Sequence, residues 1–220
     1  MLYIVATPIG NLEDITLRAL RILKEVDFIL AEDTRKTGIL LKHFGIRNKL
    51  ISFFEHNENK KIPWVLEELK RGKKIALVSN AGTPTISDPG YKLVRECRGE
   101  QLPITSLPGP SSIINFLALS SFSRSKFAFF GYVPRKKSER RKVFEKARDC
   151  GLTAIFLESP FRVLKALNDL KEIIGDQRVA IAREMTKKFE EVLELNLDRA
   201  IEHFSKNKPK GEFIIAFSGQ

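Results

Sequence analysis

Ile75-Ala76-Leu77-Val78-Ser79-Asn80-Ala81-Gly82-Thr83-Pro84-Thr85-Ile86-Ser87-Asp88-Pro89-Gly90 is the stretch on which the fold turns. Its first five residues form a short apolar run bounded by turn residues, the signature of a buried strand, Ile75–Ser79. Asn80 to Gly90 include two glycines and two prolines and show no periodicity, so the strand empties into a loop. Asp88-Pro89 has the form of an N-cap with proline at the first helical position, predicting a helix start.

The same grammar holds on either side. Upstream, Tyr3–Val5, Phe28–Ala31 and Leu50–Phe54 are strand-like. Between them lie a helix capped by Thr16, with Leu17, Leu20, Leu23 and Val26 at helical spacing, and helices over Thr37–Phe44 and Ile62–Lys70. Downstream, strand Leu102–Leu107 precedes a helix opened by Pro110 and running through Leu119. Alternating strand and helix predict a mainly parallel sheet covered by helices.

Ser120-Ser121-Phe122-Ser123-Arg124-Ser125-Lys126 is Ser-rich and aperiodic, and is taken as a domain link. The expected domains are therefore 1–119 and 120–220. The second has strands Phe127–Gly131, Leu152–Leu157, Val179–Arg183, Glu190–Leu197 and Glu212–Phe217. Its expected helices lie near Ser138–Arg148, from Ser159-Pro160 to about Ile174, and from Asp198. Neighbouring strands without an intervening helix predict a mixed sheet there.

Composition narrows the function. At 43% hydrophobic residues the chain has material for a packed core. It has no apolar run near the ~20 residues that span a bilayer, and its N-terminus reads as a first strand rather than a leader. Cys97 and Cys150 stand 53 positions apart and His43, His56 and His203 are scattered, so no metal-ligand spacing exists and a reducing, cytoplasmic setting is expected. The net charge is +11; residues 1–110 hold 17 basic and 13 acidic side chains, and residues 111–220 hold 21 and 14. Arg135, Lys136, Lys137, Arg140, Arg141, Lys142, Lys146 and Arg148 face only Glu139 and Glu145 in that block. Such density suits phosphate contact, and equally suits the solvated face of a Lys/Glu-rich helix.

Glycine and proline gather where strands end: Thr7-Pro8-Ile9-Gly10-Asn11, Asn80–Gly90 and Pro108-Gly109-Pro110-Ser111-Ser112. Ligands of open α/β sheets settle beyond the carboxyl ends of strands. Loops offering backbone N–H and C=O groups suit a nucleoside or amino-acid moiety, and neither G-x-x-x-x-G-K-[ST] nor G-x-G-x-x-G is present. Polar clusters fall at strand ends too: Glu32-Asp33-Thr34-Arg35, Glu55-His56-Asn57, Glu158-Ser159 and Arg183-Glu184. Taken one at a time, each is better explained by helix capping or a surface ion pair; it is the presence of all four at strand ends that points to a site.

Read together, these segments resemble the tetrapyrrole methylase superfamily, and within it the branch that methylates a cytidine ribose 2′-hydroxyl in small-subunit (16S) ribosomal RNA. The matching stretches are Val5–Thr16, Ala31–Arg35, Phe54–Glu58, Ala81–Gly90, Pro108–Ser112, Glu158–Pro160, Arg183–Lys188 and Lys210–Phe213, in order from first strand to last. The resemblance implies an α/β protein of two domains with the cofactor cleft between them, usually a homodimer, using S-adenosylmethionine. It places the cofactor contacts on Pro8, Asn80, Ala81, Gly82, Thr83, Pro84, Ser111, Ser112, Leu157, Ala182 and Gly211. Candidates for a base at the ribose are Glu32, Asp33, His56 and Glu184, with Arg35 and Asn57 positioning the ribose or a phosphate. The RNA, as 16S rRNA or the small ribosomal subunit, is expected on Arg135, Lys136, Arg140, Arg141, Lys142, Lys187 and Lys188. Relatives usually carry Asp at Asn80, often His at Phe161, and many continue beyond the position of Gln220. A small-molecule, tetrapyrrole-type methyltransferase and a non-catalytic RNA-binding or ribosome-assembly protein are the alternatives.

Overall fold

The computed structural model describes residues 1–206 and 209–219. The chain divides into two compact units, Met1–Ser111 and Ser112–Gln220.

In the first unit, strands β1 (Leu2–Val5), β2 (Phe28–Ala31), β3 (Leu50–Ser52), β4 (Ile75–Val78) and β5 (Ile104–Leu107) alternate with helices α1 (Leu17–Glu25), α2 (Thr34–His43), α3 (Glu58–Lys70) and α4 (Tyr91–Gly99). All strand pairs are parallel, in the order β3-β2-β4-β1-β5. Buried on both faces, the inner strands β2 and β4 need apolar residues at every position, which explains their unbroken runs in the sequence. Alternate side chains sort into two cores. Ile29, Ala31, Ala76 and Val78 pack with α1 and α2, while Phe28, Leu30, Ile75 and Leu77 pack with α3 and α4.

The connections explain that sorting. From β1 and β2 the chain steps outward toward β3; from β3 and β4 it steps back toward β5. Right-handed crossovers in opposite directions put the helices on opposite faces. At the centre, β2 and β4 are neighbours whose outgoing chains part, toward β3 and toward β5, and such a switch point leaves a crevice at the carboxyl ends.

The second unit holds α5 (Ser112–Leu119), β6 (Phe127–Tyr132), α6 (Lys137–Arg148), β7 (Thr153–Glu158), α7 (Val163–Ile174), β8 (Arg178–Arg183), β9 (Glu191–Asn196), α8 (Leu197–Lys206) and β10 (Phe213–Ser218). Its sheet is mixed, as expected: β6 runs parallel to β7, and the other pairs of the order β6-β7-β10-β8-β9 are antiparallel. Aromatic rings fill its core, Phe156 stacking on Phe130 at 5.1 Å and on Phe217 at 6.0 Å.

Several boundaries differ from the sequence expectation, α2 and α3 among them, which start earlier, at Thr34 and Glu58. The division at Ser111–Ser112 gives α5 to the second unit, eight residues ahead of the boundary drawn after Leu119. The Ser-rich stretch beyond α5 is tied down, since Glu194 on β9 accepts both the Ser121 N–H (2.5 Å) and its hydroxyl (2.6 Å). α4 starts at Tyr91, because Thr85, Ser87 and Gly90 adopt positive φ and keep the chain out of helix until then. α7 starts at Val163 after a turn in which Ser159 O accepts the N–H of Arg162 and of Val163.

Candidate active site

At the carboxyl edge of the first sheet, the loops after β1, β4 and β5 are laced by their backbones. Thr7 and Gly82 exchange N–H···O bonds at 2.9 Å in both directions. The Thr7 hydroxyl donates to Ser79 O (3.3 Å), and the Thr83 hydroxyl donates to Pro110 O (3.3 Å). The Asn80–Gly90 loop is held at each end by a carboxylate. Glu32, just past β2, accepts the Asn80 N–H at 3.0 Å, and Glu58, in the first turn of α3, accepts the Gly90 N–H at 3.2 Å. Gly90 has φ 114°, and a Cβ there would overlap Leu77, so the loop closes tightly only with glycine.

One atom in this edge is left over. Asn80 Oδ1 is buried and has no hydrogen-bond partner. A buried acceptor in that state costs about 1–3 kcal/mol unless a donor reaches it. Beside it opens a small cavity of about 120 Å³, lined by Thr7, Pro8, Lys36, Ile39, Ser79 and Asn80 among others. Pro8, Asn80, Ala81, Gly82, Thr83 and Pro84 thus share one edge with Pro110 and Ser111.

The four base candidates separate. Asp33 caps α2 through the Arg35 N–H (2.9 Å) and pairs with the Arg35 guanidinium at 3.1 and 2.8 Å. These bonds lower its carboxyl to about 2, so Asp33 and Arg35 serve each other. Glu184 accepts Lys187 Nζ (2.9 Å) and the Glu212 N–H (3.2 Å). Burial pushes its carboxyl up, but these bonds outweigh it and leave it below the ordinary value. Glu184 lies against Gly211, where any Cβ would collide with it. Asn57 braces its own loop, its Oδ1 accepting the Phe54 N–H at 2.9 Å and its amide donating to Ser52 Oγ at 3.2 Å. Glu32 is half-buried at the head of the Asn80 loop, and His56 is exposed, its ring edge-on to Phe54.

In the second unit, Leu157 on β7 and Ala182 on β8 share a register row, both facing Ile214 of β10. Gly211 leads into that strand, and Ala182 is fully buried. The basic helix α6 is less uniform than its composition suggests. Arg140 is 3% exposed; its guanidinium pairs with buried Asp169, Nε donating at 2.6 Å, and donates to Pro134 O and Arg135 O. Its place among the phosphate contacts is therefore corrected: Arg140 shares the inward stripe of Phe144 and Ala147 and is committed to the core. Arg141 pairs with Glu172, while Arg135, Lys136, Lys142 and Lys188 are exposed. Lys187 is held by Glu184. Among the described residues no group of three or more His, Cys, Asp or Glu is placed to hold a metal ion, and no helix is long and apolar enough to cross a membrane.

The sequence missed Glu58. An acidic residue in a first helical turn is ordinary, and its partner lies 32 residues away, so only its burial marks the role.

The chain matches the tetrapyrrole (corrin/porphyrin) methylase family over residues 1–201. It is 51% identical over 219 residues to ribosomal RNA small subunit methyltransferase I of Thermotoga maritima, covering 100% of this chain and 98% of that protein. The protein of the same name from Halalkalibacterium halodurans is 44% identical, with 99% and 75% covered, and that from Haemophilus influenzae 42%, with 100% and 79% covered. In fold, the chain is similar to the crystal structure of uroporphyrin-III-C-methyltransferase from Thermus thermophilus, with a TM-score of 0.67, 18% identity and coverage of 98% and 93%. With a family match over residues 1–201 and identity at this level across the whole length, the chain belongs to the tetrapyrrole methylase family, in the branch of ribosomal RNA small subunit methyltransferase I.

Proposed function

We propose that this protein is an S-adenosylmethionine-dependent methyltransferase that modifies a cytidine ribose 2′-hydroxyl in 16S ribosomal RNA. The observation that carries the cofactor half is Asn80 Oδ1, a buried acceptor without a donor, set in a loop whose ends are fixed by Glu32 and Glu58. The amino and hydroxyl groups of S-adenosylmethionine offer such donors. In the first unit Pro8, Asn80 to Pro84 and Ser111 would hold it; in the second, Ser112, Leu157, Ala182 and Gly211. When bound, it supplies a methyl group on a sulfonium, already activated for displacement.

The chain's own work is then orientation and proton removal. Placing the acceptor oxygen in line supplies several kcal/mol of the barrier reduction. An alcohol is a poor nucleophile, so a base beside it helps. Glu32 and His56 are the two candidates that remain once Asp33 and Glu184 are assigned to their ion pairs. Arg135, Lys136, Lys142 and Lys188 are the exposed cations for RNA phosphates. A homodimer working in the cytoplasm belongs to the same reading.

A tetrapyrrole acceptor would use the same cofactor loops. RNA is favoured because the relatives named for ribosomal RNA are 42 to 51% identical, against 18% for the uroporphyrin enzyme. Labelled methyl transfer to small-subunit particles, to naked 16S rRNA and to a uroporphyrinogen tests the choice. Label in one cytidine ribose supports the proposal; label in the tetrapyrrole alone, or in none, refutes it.

A further inference from the structure

We infer that the second unit carries a base-stacking platform for single-stranded RNA, built on Phe161 and Phe189; this rests on the RNA reading above and adds the residues that grip the bases. Phe161 is 90% exposed and Phe189 68% exposed. Isolated exposed apolar residues are ordinary. These two stand on loops that leave the same edge of one sheet. β7 and β8 both run antiparallel to β10, and Phe213 faces Glu158 on one side and Arg183 on the other. The Phe161 loop follows β7 and the Phe189 loop follows β8. Two strand spacings put the ends of β7 and β8, from which these loops depart, about 10 Å apart, a span that one strand of RNA can bridge.

Both loops are held. Arg162, next to Phe161, donates to Ser159 Oγ (3.2 Å) and Val133 O (3.2 Å) and pairs with Glu158 at 2.6 Å. The Phe189 turn is closed by the Glu190 N–H on Lys187 O (3.0 Å) and by the Thr186 N–H on the Glu190 carboxylate. A ring carried on a held loop spares a stacking base the cost of ordering that backbone.

Charge complementarity names the occupant. Exposed cations interleave with the rings at this edge: Lys188 lies 5.7 Å from the Phe189 centroid, Lys210 precedes β10, and Arg135 and Lys136 follow β6, which ends at the same edge. Rings that take bases, flanked by cations that take phosphates, are the recognition mode of unpaired RNA. An apolar protein partner would leave those cations desolvated.

The test is binding of a labelled single-stranded RNA of mixed sequence, and of its duplex, to wild-type protein and to F161A, F189A, the double variant and F161W. Each alanine should weaken single-strand binding about ten-fold while duplex binding changes less. F161W should keep the wild-type affinity, and thermal melts should stay unchanged because both rings are exposed. K188A should flatten the salt dependence, whereas F161A and F189A should not. If wild type binds and methylates RNA but the double variant binds the single strand equally well, the platform is refuted and the proposed activity stands. If the variants instead dissociate an oligomer in sedimentation with RNA affinity unchanged, the face joins copies of the chain and the inference is wrong. Wild type that neither binds nor methylates RNA overturns the RNA reading and the platform with it.

Discussion

Glu32 accepts the backbone N–H of Asn80 at 3.0 Å, fixing from 48 residues away the head of the loop whose tail Glu58 fixes at Gly90. The loop therefore has a set shape before any ligand arrives. Glu32→Ala removes a charge-assisted bond and lets the head of the loop move. Calorimetric titration should find S-adenosylmethionine bound about ten-fold more weakly, with most of the affinity retained in Glu32→Gln, which keeps an acceptor.

Base candidates should part in the same way kinetically. With cofactor saturating, His56→Ala or Glu32→Gln should lower kcat by about 10²-fold or more if that residue takes the ribose proton. Asp33→Asn and Glu184→Gln should not reach that loss, because their carboxylates are engaged by Arg35 and by Lys187. Single-turnover transfer rates check this; an equally large loss in Asp33→Asn would contradict it.

Asp33 also sets a pH dependence. Its hydrogen bonds with Arg35 lower the carboxyl from 3.8 to about 2. A depressed carboxylate stabilises the fold above its unfolded value, and that stabilisation is lost as pH falls through the folded one. Asparagine still caps a helix but cannot pair with Arg35. Asp33→Asn should therefore be less stable than wild type at pH 7, with the gap closing between pH about 4 and 2. Urea unfolding across that range would show it.

Arg140 and its exposed neighbours should respond oppositely. Arg140→Met strands Asp169 in the core and should cost about 3–5 kcal/mol, reduced to the extent that Lys137, 3.5 Å from Asp169, compensates. Arg140→Met/Asp169→Leu should recover much of that loss. The RNA salt slope of the folded Arg140 variant should be unchanged, while Lys136→Ala and Lys142→Ala each lower it by about one.

Much of this architecture was legible because the chemistry is local. Ile75–Val78 and Phe28–Ala31 are apolar at every position because both faces are covered, and turn residues mark their ends. Thr16 was legible as the cap of α1 because its hydroxyl needs only the Ala19 N–H, three residues on. What escaped depends on distant partners or on backbone angles. Asp88-Pro89 has the pattern of a helix start, yet positive φ at Ser87 and Gly90 delays α4 to Tyr91. Arg140 looked like one more cation of a basic block. Its spacing to Phe144 and Ala147 carried the signal that it faces inward, but Asp169, on the next helix, was needed to explain why a charge belongs there.

Asn80 offers the most direct test. Its Oδ1 is buried without a partner, at the head of a loop whose two ends are held by Glu32 and Glu58. Titration of S-adenosylmethionine into wild type, Asn80→Asp and Asn80→Ala measures whether that acceptor meets the methyl donor. The expected result is saturable binding that is kept or tightened by Asp and weakened about ten-fold by Ala. Affinity indifferent to all three residues, or no binding by the wild type, would contradict it.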